Sequence, residues 1–185
     1  MDKNVLFILS VTGTIALILV SRKSLLHVGS HGFYRFFAWE ILLAMFLLNA
    51  GTWFRNPFAW HQLISWVLLV ISIVLVILGL RLLHRIGEQD SSRNDASLLA
   101  LEKTSKLVTV GLYRHIRHPL YGSLLFLGWG MFFKSPSWLD TGLAILCSFF
   151  LIATARMEER ENMNYFGDEY KEYMKRTKMF IPFLF

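Results

Sequence analysis

Two stretches carry side chains of the types that do chemistry. The first is Ser105–Tyr121, SKLVTVGLYRHIRHPLY, which sets Arg114, His115, Arg117 and His118 directly ahead of Pro119 and an apolar run. Proline suits the first turn of a helix, where its missing N–H would be unpaired anyway. His118 is therefore predicted at a helix mouth, where free N–H groups and the helix dipole favour a carboxylate or a phosphate. Arg114 and Arg117 add fixed positive charge, while Tyr113 and Tyr121 add flat faces and hydroxyls. Gly111 suits a turn. The second stretch is Ala155–Pro182, with Glu158, Glu159 and Glu161 close together near its start.

Each stretch also has a plain structural reading. Arg114 and Arg117 alone fit a basic anchor at a membrane border, and charge runs are usually solvated faces. Three acids within four residues nonetheless run against the basic bias of their surroundings. Gly167 reads as a helix break, with Asp168 as the N-cap of a short helix. Met163, Phe166, Tyr170 and Tyr173 recur at helical spacing and read as a packing stripe. The apolar MFIPFLF at 179–185 reads as resting on the bilayer.

The elements that position these stretches are membrane helices. The chain has 185 residues, 55% hydrophobic and only 17% charged, with a net charge of +6. That apolar content points to a membrane surface rather than nucleic acid as partner. The one cysteine, Cys147, lies in an apolar run as a core thiol, and no Cys/His spacing suits a metal. Apolar segments at Val5–Val20, Phe36–Phe54, Leu63–Leu80, Leu120–Phe133 and Trp138–Ala155 predict an all-α polytopic protein with five transmembrane helices. The fourth is short enough to need tilt or shielding. With five spans, one side holds three Lys/Arg (Lys3, Arg55, Lys134) and the other fifteen, with Arg81 at a helix end on the richer side. The expectation is an N-terminus outside and a C-terminus and active site in the cytoplasm. Residues 1–185 form one domain, with three N-terminal helices in 1–83. The core, 84–185, holds a helical hairpin and an amphipathic C-terminal segment. Polar GEQDSSRNDAS, 87–97, reads as a linker. Glu40 is predicted to face the bundle or a cavity, Asn49 to pack, and Gly128 and Gly130 to mark close helix contact.

Taken together, LVTVGLYRHIRHPLY and EERENMNYFGDEYKEYM followed by IP resemble the isoprenylcysteine carboxyl methyltransferase family. These are membrane enzymes related to phospholipid N-methyltransferases that use S-adenosylmethionine. The resemblance covers residues 80–183 well and the first two helices by hydropathy only. It implies a cytoplasmic cofactor pocket built from the 105–121 segment and the C-terminal helices. By matching position it implies cofactor contacts at Ser105, Lys106, Leu107 and Val108, at Tyr113, at His118, Pro119, Leu120 and Tyr121, and at Glu158. His118 would meet the cofactor's carboxylate and Glu158 its ammonium or ribose. Tyr113 or Tyr121 would face the sulfonium by cation–π attraction. The sequence departs from the isoprenylcysteine enzymes four residues before the first acid, where their arginine is here Thr154. It departs from the phospholipid enzymes at Ser123, where they have glycine.

The implied function is methyl transfer to a lipid-like or prenylated acceptor, foremost a carboxylate. A carboxylate or thiolate needs no base, whereas an amine must first lose a proton, to Glu159 or His115. Arg156 is the candidate to orient an anionic acceptor. Three rivals stand beside this reading: a phospholipid amine N-methyltransferase, a nicotinamide-dependent membrane reductase with a similar C-terminal motif, and a non-enzymatic membrane scaffold.

Overall fold

The computed structural model describes residues 2–88 and 104–182. Six α-helices account for most of them: α1 Lys3–Leu25, α2 His31–Asn49, α3 Trp60–Ile86, α4 Pro119–Phe132, α5 Trp138–Phe166 and α6 Asp168–Arg176. A 3-10 turn, Gly111–Arg114, precedes α4. Among the described residues no sheet forms, only an isolated parallel bridge between Ile116 and Lys178. The all-α expectation holds.

Four helices, α1, α2, α3 and α5, are long and apolar enough to cross a membrane. Helix α4 is apolar but has 14 residues. At about 1.5 Å per residue it is roughly 21 Å long, short of a hydrocarbon core of about 30 Å. It lies against α2, α3 and α5, so it is shielded much as its brevity requires. Outward-facing Leu, Ile, Val and Phe side chains of α1 and α3 are exposed in large number, as lipid-facing residues are.

Two boundaries differ from the sequence reading. Helix α2 begins at His31 rather than Phe36, because Ser30 Oγ accepts from Phe33 N (3.2 Å) and caps the helix. His31 and Arg35 look like loop residues by hydropathy, yet both are buried inside the first turns. Arg35 spends its charge over Trp39, 5.0 Å from the ring centroid. Helix α6 begins at Asp168 itself; its cap is Gly167, which takes φ +61° and provides no side-chain bond. Asp168 instead accepts from Lys171 (2.8 Å).

The core joins α2, α4 and α5 through Ala38, Leu42, Met45, Met131, Ala144, Cys147 and Leu151. Small residues set the helix approach. A Cβ on Gly130 would lie 2.9 Å from Leu69 Cδ2, and one on Gly128 would lie 3.3 Å from Leu42 Cδ2. Cys147 is buried among them, with Sγ 3.9 Å from Ala38 O. Gly130→Val is expected to overpack the α3–α4 contact and destabilise by about 1–3 kcal/mol. A thermal midpoint in detergent equal to wild type would contradict this packing.

Interhelical polar bonds complete the bundle, since backbone and side-chain polar groups have no water to turn to there. Thr14 Oγ1 donates to Glu40 Oε2 (2.9 Å), so Glu40 faces α1. Asn49 Nδ2 donates to Asp140 Oδ1 (2.9 Å). At that same end Lys134 is buried: its Nζ donates to Gln62 Oε1 (3.0 Å) and sits 3.3 Å from the Trp66 ring centroid.

Candidate functional site

The site lies at the opposite end of the bundle, where four separate pieces of chain meet. Gly111 takes φ +59° and turns the chain into the 3-10 helix, which buries Tyr113. Pro119 occupies the first turn of α4 and His118 is its N-cap residue, as the sequence predicts. The last three turns of α5 supply Glu158, Glu159 and Asn162. Gly167 then folds α6 back so that Tyr170 and Tyr173 face inward, both buried.

A strap from the C-terminal segment locks this arrangement. Arg117 N donates to Lys178 O (2.8 Å), His118 N to Met179 O (3.1 Å) and Lys178 N to His115 O (3.0 Å). Phe180 is 1% exposed and lies edge-on to His118, with ring centroids 6.3 Å apart. The expectation that this segment rests on the bilayer is therefore corrected for residues 179–181. They pack into the core because the backbone of Lys178 and Met179 pairs with 115–118 and satisfies polar groups that lipid could not.

Arg117 is the hub. Its Nε donates to Glu159 Oε1 (2.6 Å). Its Nη1 donates to the carbonyls of Thr177 and Met174. One planar guanidinium thus ties α4, α5 and the end of α6 together, a task its fixed fork of donors suits. Both partners are nearly buried, with side chains 10% and 8% exposed. His118 Nε2 lies 3.4 Å from the same Glu159 oxygen, and His118 Nδ1 lies 3.9 Å from Glu158 Oε2. The imidazole stacks on Tyr121, 5.6 Å between centroids and 20° between planes.

Around this core opens a cleft with about 640 Å³ of empty space, its open mouth included. Its polar groups come from Arg117, His118, Glu158, Asn162 and Tyr170, its walls from Leu83, Leu107, Val108, Tyr113, Leu120, Phe166 and Tyr173. Tyr173 donates from its hydroxyl to the backbone Tyr113 O (2.6 Å), tying its ring to the 3-10 turn. Burial pushes the Tyr170 phenol up, and the charges of Glu158 and Glu159 push it further. Burial likewise raises Tyr173. Both phenols stay protonated, and Tyr173 serves as a donor.

Of the residues picked from sequence, Leu107, Val108, Tyr113, His118, Pro119, Leu120, Tyr121 and Glu158 line the cleft. Ser105 and Lys106 are exposed and turn to Glu88: Ser105 Oγ donates to Glu88 O (3.0 Å), and Lys106 Nζ is 3.7 Å from Glu88 Oε1. Glu159 is buried beneath the cleft in the hold of Arg117. Arg156 is exposed and lines no part of the cleft. Thr154 is buried and donates to Phe150 O (2.7 Å). Phe166, Tyr170 and Tyr173 are more than the packing stripe their spacing suggested, because the cleft runs along them. Asn162 and the hub role of Arg117 escaped the sequence reading. The only signal for Asn162 was its place one turn after Glu158 on a helix. The 87–97 linker falls mostly outside the described residues.

Glu161 points away from the cleft to the second helix. His31 Nδ1 lies 2.5 Å from Glu161 Oε2, and His31 N donates to Glu161 Oε1 (3.2 Å). The third acid of the run therefore anchors α5 to α2, while the first faces the cleft and the second holds Arg117.

The family model described as phospholipid methyltransferase matches residues 60–169, which run from the start of α3 to the start of α6. Methanethiol S-methyltransferase 1 of Bradyrhizobium diazoefficiens is 32% identical over 74 residues, 38% of this chain and 24% of that protein. Methanethiol S-methyltransferase of Crocosphaera subtropica is 26% identical over 129 residues, 65% of this chain and 44% of that protein. The chain thus spans less than half the length of these curated relatives. The matched region contains His118, Glu158 and helices α3, α4 and α5, while Tyr170 and Tyr173 of α6 lie just past its end; the chain belongs to the phospholipid methyltransferase family of integral membrane methyltransferases.

Proposed function

We propose that this chain is an S-adenosylmethionine-dependent methyltransferase that modifies a membrane-borne, lipid-like acceptor. The observation that carries the reading is the cleft itself. A carboxylate, an imidazole and an amide stand at its polar end, a set of aromatic and aliphatic walls beside them, and α4 opens from it toward the bundle. The donor set fits the cofactor's chemistry. Glu158, 19% exposed, suits an ammonium or ribose hydroxyls. His118 and Asn162 suit a carboxylate. Tyr113, Phe166 and Tyr170 suit adenine or a sulfonium. When bound, S-adenosylmethionine supplies a methyl group already activated on sulfur. What the chain must add is position and dryness, which the Arg117 hub and the buried tyrosines provide.

The placement of Glu159 supports a positioning role rather than that of a general base. Its oxygen is engaged by Arg117 and faces His118, so it orients the imidazole. The acceptor reading shifts as well. A carboxylate acceptor calls for a free cation to orient it, and among the described residues Arg117 is the only Lys or Arg lining the cleft and is bound to Glu159. Arg156 is outside. This favours an acceptor that needs no guanidinium clamp, and a thiol fits, as the names of the two relatives suggest. A carboxylate as in isoprenylcysteine methylation and a phospholipid amine are the alternatives. In the membrane, we propose that α4 serves as the fourth of five spans, with the cleft on the cytoplasmic side where Lys and Arg concentrate.

The test is labelled-methyl transfer from S-adenosylmethionine into a membrane lipid extract and into added alkyl thiols. Products are separated as thioethers, alkali-labile esters or N-methyl lipids. A thioether is expected. S-adenosylhomocysteine should also raise the thermal midpoint, as any ligand of the native state does. A rise with a nicotinamide dinucleotide instead, and no transfer, would overturn the reading.

A further inference from the structure

A second concavity lies behind the cleft, on the far side of Tyr173. It is lined by Thr109, Val110, Arg114, His115, Arg176 and Thr177, with Tyr173 as the shared wall. An adjoining depression shares His115, Arg176 and Thr177 and adds Lys175, Lys178 and Pro182. The five basic residues of this double depression are all exposed. No Asp or Glu lines either part among the described residues. Lys175 is paired with Glu172 (2.6 Å). Arg114 and Lys178 have no carboxylate partner among the described residues, and Arg176 reaches only the Glu172 carbonyl, 3.4 Å from Nε. The methyl-transfer reading uses none of these side chains.

We infer that this depression binds the phosphate of an anionic phospholipid in the surrounding leaflet. Three cations from three pieces of chain, Arg114 from the 3-10 turn, Arg176 from α6 and Lys178 from the strap, gather where no acid lines the depression among the described residues. Clustered Lys and Arg beside a membrane helix recognise anionic headgroups. A lipid rather than a free phosphate is favoured by position. His115 stands three residues before His118, the cap of α4, and Val110 on the rim is an exposed hydrophobic at 48%. A headgroup seated there would bridge the 109–115 segment to α6. Those two pieces are joined internally by the Tyr173–Tyr113 bond, so the lipid would brace the back wall of the cleft.

The inference does not depend on which acceptor is methylated, and its test reads binding rather than turnover. The full-length protein in detergent is titrated with phosphatidylglycerol or phosphatidylcholine, and adducts are counted by native mass spectrometry. The variant Arg114→Gln/Arg176→Gln/Lys178→Gln should lose about a hundredfold in phosphatidylglycerol affinity, near fivefold for each cation. Phosphatidylcholine binding should not change. A matched variant, Lys23→Gln/Arg160→Gln/Lys171→Gln, removes equal charge from exposed positions elsewhere and should keep wild-type binding. All six positions are exposed, and an unchanged thermal midpoint checks that each variant folds. Equal losses in both variants would reduce the site to general charge attraction and overturn the proposal. Displacement of phosphatidylglycerol by inorganic phosphate alone would overturn the choice of a lipid.

Discussion

Arg117→Ala is expected to destabilise the protein by about 3–5 kcal/mol, the usual result of stripping one partner from a buried ion pair. The loss exceeds that of a contact. Glu159 would be left as an uncompensated carboxylate under the cleft, and the Thr177 and Met174 carbonyls would lose their donor. Arg117→Lys should recover only part of the loss, because one ammonium cannot serve Glu159 and the end of α6 at once. Arg117→Ala combined with Glu159→Gln should be more stable than Arg117→Ala alone, since the stranded charge is gone. The thermal midpoint in detergent, followed by turnover, measures all three. An Arg117→Ala protein as stable as wild type would show that the hub holds nothing.

Glu158→Gln separates binding from folding. The side chain keeps its shape and loses its charge. The hydrogen bond of a carboxylate to a cationic donor is worth about 1.5–3 kcal/mol, so affinity for S-adenosylmethionine should fall roughly 10- to 100-fold. The fold should be unharmed, because the packing of α5 here is carried by Glu159 and Glu161, and two adjacent acids repel each other. Calorimetric titration with S-adenosylhomocysteine reads the first effect and the thermal midpoint reads the second. Unchanged affinity would remove Glu158 from the cofactor site. A collapsed midpoint would make it structural.

The contrast between these two residues shows what could be read from the sequence and what could not. Hydropathy found the membrane helices because lipid imposes a long, simple apolar signal. Pro119 and Gly111 announced their turns because only a few residue types suit such backbone. His118 and Glu158 were legible as a pair through the family resemblance, forty residues apart. Arg117 was not. It looked like a membrane anchor, since a sequence shows charge but not the carboxylate waiting for it 42 residues on or the carbonyls at 57 and 60. Arg156 lies near the acids in sequence, but a helix turns about 100° per residue, and the structure leaves it exposed and outside the cleft lining. His31 and Arg35 were read as loop because hydropathy cannot distinguish a buried, bonded polar group from a solvated one. The count of spans suffered from the same limit at α4, whose length falls between a core helix and a membrane crossing.

The strap has a consequence for biosynthesis. Helices α1, α2, α3 and α5, each long and apolar enough to cross a membrane, can enter it as each leaves the ribosome. The floor of the cleft cannot form then. Arg117 and His118 give their backbone N–H groups to Lys178 and Met179, and Phe180 fills the space beside His118. A nascent chain that has inserted its membrane-crossing helices still lacks this floor until residues 177–180 emerge, and so inserts before the cleft can close beneath His118.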